Sequence, residues 1–169
     1  MAKKSLLWLL ILFASLVWAA EDGPTTILLV RHAEKSAVPP DNPGLTDAGK
    51  ARAQILVHML GPSGFKAIYS SQYARTRETA EPLANHLGLS VKQVDANQTP
   101  KLVNELLSQH AGRKVLVVGH SNTLPEIIEA LGGGNVPEIE DHEYDNLFVV
   151  TVYQPGKAKV LRLKFGNSR

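Results

Sequence analysis

The sequence contains no cysteine among its 169 residues. This excludes disulfide bonds, thiolate nucleophiles, metal sites with sulfur ligands and a lipid-modified bacterial N-terminus. The chain also lacks internal repeats and low-complexity segments. Its 44% hydrophobic and 20% charged residues are typical of a globular protein, and its length is enough for one domain with a hydrophobic core.

The N-terminal segment is typical of a secretory signal peptide, because two lysines precede an apolar run at 6–20 that ends in small residues. Cleavage after Ala19 fits the small-residue preference best. The run is short for a membrane span, which needs roughly 20 apolar residues. We therefore expect residues 1–19 to be removed and residues 20–169 to form one periplasmic or secreted domain without a stable membrane span. An uncleaved membrane anchor is the alternative.

The net charge of +2 belongs to this leader. Without Lys3 and Lys4, the 18 basic residues become 16, which equals the 16 acidic ones. A balanced charge gives no reason to expect nucleic acid or an anionic membrane surface as a partner.

Strand-like and helix-like segments alternate along the rest of the chain. Such alternation predicts an α/β fold of three layers, α/β/α, with a mostly parallel sheet, helices on both faces and a C-terminal hairpin. Thr46 and Thr99 are the predicted N-caps of the first and third helices. The predicted strands are 25–30, 65–70, 90–94 and 114–119, the predicted helices are 45–60, 73–88, 99–110 and 122–134, and the hairpin lies within 146–165.

Distinctive polar residues follow three of the predicted strands. Arg31, His32 and Glu34 come directly after the first strand, Arg75 lies at the start of the helix after the second, and His120 follows a late strand. In open parallel sheets, ligands bind beyond the carboxyl ends of the strands. If these strands are neighbours, two arginines and two histidines meet in one cleft.

This set of residues has a chemical logic. The guanidinium group matches the oxygens of a phosphate and keeps its charge, and helix N-termini add backbone N–H donors. A neutral imidazole can attack phosphorus and form a covalent phosphohistidine. The pattern indicates a site for a phosphate dianion, and neither a metal site nor a cofactor is expected.

Four segments resemble successive motifs of the histidine phosphatase superfamily, the phosphoglycerate-mutase-like fold. They occur in the family's order between residue 27 and about residue 122, each at a predicted strand end or helix start. The matching residues are Arg31, His32 and Ala33; Leu45, Thr46 and Gly49; Ser71, Arg75, Thr79 and Ala80; and Gly119 and His120.

The resemblance implies a phosphatase that needs no metal and hydrolyses a phosphomonoester or phosphoramidate. His32 becomes the nucleophile that is phosphorylated, and Arg31 and Arg75 bind the phosphate. His120 becomes the second histidine of the pocket, which steadies the phosphoryl group. The partner implied is a small phosphorylated substrate.

The sequence departs from the family pattern in two places. Ala33 replaces the glycine that follows the family's histidine. The segment 94–100 is short where many members carry the acid that protonates the leaving group, which leaves Asp95 and Glu34 as weak candidates for that acid. A short segment also predicts an open pocket, which favours hydrolysis over phosphoryl transfer.

Three further features concern residues that contact the substrate or only the solvent. Glu34 and Asn122 are predicted to contact substrate, although Asn122 also fits a helix N-cap. The acidic segment 137–146 either borders the pocket or is simply solvated, and we favour the solvated interpretation. Glu78 reads as part of a solvated helix face.

Two alternatives to an enzyme stay open. The first is a non-catalytic protein that binds a phosphorylated ligand on the same scaffold, although a binder has no need of His32. The second is a metal-binding protein that uses His32, His120 and carboxylates. Two arginines in the same cleft would repel a cation, so this alternative ranks last.

Overall fold

The structure is a computed structural model that describes residues 23–166. The predicted signal peptide, residues 1–19, lies outside the described residues. Within the described part of the chain, no helix is long and apolar enough to cross a bilayer.

The chain alternates between strands and helices, as predicted, and ends in a hairpin. A short 3-10 turn at Gly61–Ser63 follows the first helix. The strands are β1 (Thr25–Arg31), β2 (Ala67–Ser70), β3 (Val91–Gln93), β4 (Lys114–Gly119), β5 (Asn146–Gln154) and β6 (Lys157–Lys164), and the helices are α1 (Asp47–Leu60), α2 (Ala74–Leu87), α3 (Thr99–Gln109) and α4 (Thr123–Ala130).

The six strands form one sheet in the order β3-β2-β4-β1-β5-β6. The first four strands of this order pair in parallel, and β5 and β6 add an antiparallel hairpin at one edge. Arg31 pairs with Gly119 and Ser70 pairs with Val118, so β1, β2 and β4 end at the same edge of the sheet. The predicted fold class is confirmed: the sheet is mixed, with four parallel strands and the predicted C-terminal hairpin.

Helices cover both faces of this sheet. Side chains alternate along each strand, so β1 presents Leu28 and Val30 to one face and Ile27 and Leu29 to the other. The first pair packs with apolar residues of α1 and α2, and the second pair packs with those of α3 and α4. Because both faces are covered, β1 and β4 read as continuous apolar runs rather than as alternating ones.

The start of α1 is fixed against the segment that follows β1. Thr46 caps the helix as predicted, because its Oγ1 accepts a hydrogen bond from the Gly49 amide at 3.1 Å. The Thr46 amide donates to the Glu34 carbonyl at 2.9 Å. A Cβ atom at Gly49 would overlap this same carbonyl, so only glycine lets the helix approach so closely. For α3 the predicted cap is wrong by one residue, because Gln98 is the N-cap and Thr99 begins the helix.

Candidate active site

His32 lies directly beyond β1, and its ring has a defined orientation. Its backbone amide donates to the Gly119 carbonyl at 2.9 Å, which continues the pairing between β1 and β4. Its Nδ1 lies 2.8 Å from the Ala33 carbonyl oxygen. A carbonyl oxygen can only accept, so Nδ1 carries the hydrogen and Nε2 keeps a free lone pair.

The surroundings of His32 favour the neutral ring. Burial lowers the pKa of His32 to about 3, opposed by the hydrogen bond to Ala33 and assisted by the positive charges of Arg31 and Arg75. His32 is therefore a neutral imidazole near pH 7, with a hydrogen on Nδ1 and none on Nε2, and this is the form that can attack an electrophile.

Arg31 is held by the segment that precedes β5. Its NH1 group donates to the carbonyl oxygens of Glu140 at 2.8 Å and Asp141 at 3.0 Å. Its guanidinium carbon lies 4.5 Å from the centre of the Tyr144 ring, in cation–π geometry. Arg31 is only 5% exposed, and its Nε has no hydrogen-bond partner among the described residues. A buried cationic donor without a partner is well suited to bind an anion.

Arg75 occupies the first turn of α2, where Tyr73 holds its side chain. The Arg75 guanidinium carbon lies 4.3 Å from the centre of the Tyr73 ring. Thr79 connects this turn to the His32 segment, because its Oγ1 donates to the Arg75 carbonyl at 2.7 Å and accepts from the Ala33 amide at 3.0 Å. The Nε of Arg75 is buried and, within the described residues, unpaired like that of Arg31.

His120 lies beyond β4, next to His32. The two ring centres are 5.4 Å apart. The Nε2 of His120 lies 2.9 Å from the Ser71 Oγ, which in turn lies 2.8 Å from the Thr76 Oγ1. Burial, together with the charges of Arg75 and Arg31, lowers the pKa of His120 to about 4. This second imidazole is also neutral near pH 7 and is oriented by a hydroxyl chain.

These side chains line a single open cleft of about 620 Å³ at the strand-end edge of the sheet. The structure thus brings together five of the six residues predicted for the site. The lining residues are Arg31, His32, Lys35, Tyr73, Arg75, Ala96, Asn97, His120, Ser121, Asn122, Thr123 and Glu126.

Glu34 is the predicted site residue that does not line the cleft. Its two carboxylate oxygens accept hydrogen bonds from Arg52 of α1, at 3.0 Å from Nε and 2.9 Å from NH2. Both side chains of this ion pair are 9% exposed. The pair joins α1 to the segment after His32, and Glu34 is not among the residues that line the cleft. The structure therefore does not support Glu34 as a substrate contact or as the acid.

The other predicted candidates have different positions. Asp95 is exposed and lines a small neighbouring cavity rather than the cleft. Asn122 lines the cleft and is the N-cap residue of α4, but its side chain makes no capping hydrogen bond and is free to meet a ligand. Glu126, which the sequence did not single out, is the one carboxylate that lines the cleft among residues 23–166.

Sequence reasoning also missed the aromatic residues of the site. Tyr73 stands between Arg75 and His120, with its ring centre 5.3 Å from that of His120. Tyr144 covers Arg31 and lies with its ring centre 6.0 Å from that of His32. Tyr73 lies between Ser71 and Arg75, two residues that match the family's motif, and could have been found there. Nothing in the acidic segment marks Tyr144. No cluster of three or more potential metal-ligating side chains occurs within residues 23–166.

We expect both cleft histidines to remain neutral between about pH 5 and about pH 7, because burial and the two arginines disfavour the charged ring. The measurement is an NMR titration of ¹⁵N-labelled histidine, with His32→Asn and His120→Asn used to assign the signals. His32 is expected to show the Nδ1–H tautomer throughout. Titration of either ring near the ordinary value of about 6.5 would contradict this account.

One protein-family model matches part of the chain, including the segment from Arg31 to Arg75. Residues 27–96 match the sequence model of the histidine phosphatase superfamily (branch 1), and this range contains most of β1, all of β2 and the residues from Arg31 to Arg75. Over 78 residues the chain is 38% identical to the PE-PGRS family protein PE_PGRS11 of Mycobacterium tuberculosis. That match covers 46% of this chain but only 12% of the relative, so the chain spans a small part of that protein's length.

Solved structures of phosphatases share the fold. The protein histidine phosphatase SixA, complexed with tungstate, superposes with a TM-score of 0.65 at 17% identity, over 82% of this chain and 96% of that one. A mycobacterial glucosyl-3-phosphoglycerate phosphatase has a TM-score of 0.63 at 13% identity, over 85% and 99%. The phosphoserine phosphatase of Entamoeba histolytica, as a mutant with phosphoserine bound, has a TM-score of 0.60 at 13% identity, over 80% and 94%.

Proposed function

We propose that the protein is a phosphatase of the histidine phosphatase type, which hydrolyses a phosphomonoester or phosphoramidate through a covalent phosphohistidine on His32. One observation carries the proposal: the hydrogen bond from Nδ1 to Ala33 leaves the Nε2 lone pair free, in a cleft that two arginines line. The match to the superfamily model and the fold shared with three phosphatases support it.

In the proposed first half-reaction, Arg31 and Arg75 bind the phosphoryl oxygens. The Nε2 of His32 attacks phosphorus and forms a P–N bond, while the bond from phosphorus to the leaving group breaks and its electron pair stays on the leaving atom. The positive charges of Arg31 and Arg75 offset the charge that shifts onto the phosphoryl oxygens, and the neutral ring of His120 lies beside them. Since the two arginine cations are part of the protein, the proposed reaction needs no metal.

The leaving atom then needs a proton, and we assign its donor to Glu126. Glu126 lies in the first turn of α4, six residues after His120, and lines the same cleft. In the second half-reaction, water attacks the phosphohistidine and gives a proton back to the Glu126 carboxylate. The P–N bond breaks, its electron pair returns to Nε2, and phosphate leaves a regenerated site.

The substrate that we propose is a small phosphorylated molecule. The cleft is open, and its outer part carries neutral hydrogen-bonding side chains, among them Asn97, Ser121 and Asn122. The three phosphatases of similar fold are named for quite different substrates, a phosphohistidine protein, a glucosyl-phosphoglycerate and phosphoserine. Neither the fold nor the open cleft selects one leaving group.

The test is hydrolysis of an activated aryl phosphate in the presence of a chelator, by the protein in the form that begins after Ala19, since we propose that residues 1–19 are removed during export. We expect turnover that the chelator leaves unchanged, and an acid-labile phosphoenzyme in rapidly quenched samples. Absence of turnover with inorganic phosphate still bound would instead favour a non-catalytic binding protein. Turnover that disappears with the chelator would contradict the metal-independent mechanism.

A further inference from the structure

The segment 140–145, here called the arginine-holding loop, supplies most of the contacts of Arg31. The NH1 group of Arg31 donates to the carbonyl oxygens of Glu140 and Asp141, and a third carbonyl, that of Glu143, lies 3.3 Å away. Among residues 23–166, the one side-chain carboxylate within ion-pair distance of the guanidinium is that of Asp141 at 3.6 Å, and this side chain is fully exposed. Because neutral carbonyls do most of the holding, the charge of Arg31 is left largely uncompensated for a phosphate.

The carbonyls of a loop can orient an arginine only if the loop itself is fixed. Glu143 closes the loop on itself, since its Oε2 accepts from the Glu140 amide at 3.1 Å. It also binds the loop to β6: its Oε1 accepts from Lys164 at 2.7 Å and from the NH2 group of Arg162 at 3.2 Å. These contacts lower the pKa of Glu143 to about 2, with the hydrogen bond from Lys164 as the largest cause, so the carboxylate stays charged near neutral pH.

Two neighbouring contacts strengthen the connection to β6. Lys164 also donates to Asp145 at 2.7 Å, and the Nε of Arg162 donates to the Asn146 side chain at 2.8 Å. β6 belongs to the terminal hairpin and pairs along its length with β5, so it is a rigid support. A continuous path of hydrogen bonds therefore runs from β6 through Glu143 to the carbonyls that hold Arg31.

We propose that Glu143 is a positioning residue for phosphate binding: by fixing the arginine-holding loop to β6, it holds Arg31 in the orientation in which this arginine lines the cleft. Glu143 does not line the cleft and touches no substrate. Its effect passes through Arg31, and the inference rests on the proposed function of the cleft. Removing a group that orients the ligands of a metal site typically lowers affinity or activity by about 10- to 100-fold, and by analogy we expect a loss of about tenfold or more here.

The test is a double-mutant cycle between Glu143→Gln and Arg31→Ala, measured as kcat/KM for an aryl phosphate and as the Kd of inorganic phosphate. Glu143→Gln keeps the shape of the side chain and loses its charge. In the wild-type background it should lower kcat/KM and weaken phosphate binding by about tenfold or more, and in the Arg31→Ala background by less than about twofold. Asp47→Asn, which removes an exposed acid that is paired with a lysine and does not line the cleft, is the control for a lost acid–lysine pair and should change neither quantity.

The cycle separates the outcomes. Equal losses in both backgrounds would overturn the proposal, because Glu143 would then act on the fold and not through Arg31. No loss in the wild-type background would overturn it as well. If the protein showed no turnover that depends on His32, the proposed function would fail, but the phosphate-binding arm of the cycle would still test Glu143.

Discussion

His32→Ala is expected to abolish turnover, lowering kcat/KM for an aryl phosphate by at least about 10⁴-fold. The variant removes the atom that forms the P–N bond, and the Nε2 of His120, the other histidine of the cleft, is already engaged with the Ser71 hydroxyl. Phosphate should still bind, since both arginines remain in the cleft. The measurement is steady-state hydrolysis together with calorimetric titration of inorganic phosphate.

Two controls show whether such a loss is chemical. His58→Ala, at an exposed position of α1, should retain full activity. Adding free imidazole to His32→Ala should restore part of the turnover, because the missing ring leaves space beside the phosphoryl group. Turnover that persisted in the variant without imidazole would mean that the nucleophile lies elsewhere, and the proposed mechanism would have to be given up.

The main part of the site could be predicted because its residues follow directly from the ends of strands. A buried apolar run that leads into Arg31 and His32 marks a strand end, and the run before His120 marks another. Since β1 and β4 are paired neighbours, these two strand ends must lie side by side. Arg75 joins them because β2 pairs with the other side of β4 and leads into α2. Local pattern and sheet topology together account for these four residues.

The role of the acidic segment could not be read from the sequence, where it was interpreted as solvated. β5 runs antiparallel to β1 and begins beside the end of β1, with Leu147 paired to Val30. The segment before β5 must therefore pass the strand-end edge of the sheet, next to the cleft. Its contacts to Arg31 are made by backbone carbonyls, which are the same for every residue type. Only the direction of β5 could have indicated this role.

The roles of two glutamates could not be predicted from the sequence, because the position of a residue along the chain does not determine which group its carboxylate contacts. Glu34 follows His32 by two residues, yet it is bound by Arg52, a buried cation that needs an acidic partner. Glu78 was interpreted as part of a solvated face, yet its Oε2 accepts from the Leu45 amide at 2.7 Å and so holds the loop before α1. In both cases the partner is distant in sequence and comes close only through packing of the helices.

Glu126→Gln is expected to affect substrates according to their leaving groups. An alkyl phosphate releases a strongly basic oxygen that needs a proton as its bond to phosphorus breaks, so kcat/KM should fall by about 10²-fold or more. A nitrophenyl phosphate releases a stabilised anion without that help, and its kcat/KM should change by less than about threefold. The value of kcat/KM reflects only the steps up to departure of the leaving group. Comparing it for the two substrates therefore measures protonation of the leaving group separately from the later hydrolysis of the phosphoenzyme.

Asp95→Asn is the matched control for this prediction, since Asp95 is an exposed acid of the neighbouring cavity and does not line the cleft. It should leave the rates for both substrates unchanged. Equal losses on the alkyl and aryl substrates would mean that Glu126 acts through binding or folding, and a selective loss in Asp95→Asn would move the donor to that residue. The expected result would place the acid on α4, the helix that follows His120, so that one short segment, residues 120–126, supplies both phosphoryl stabilisation and protonation of the leaving group.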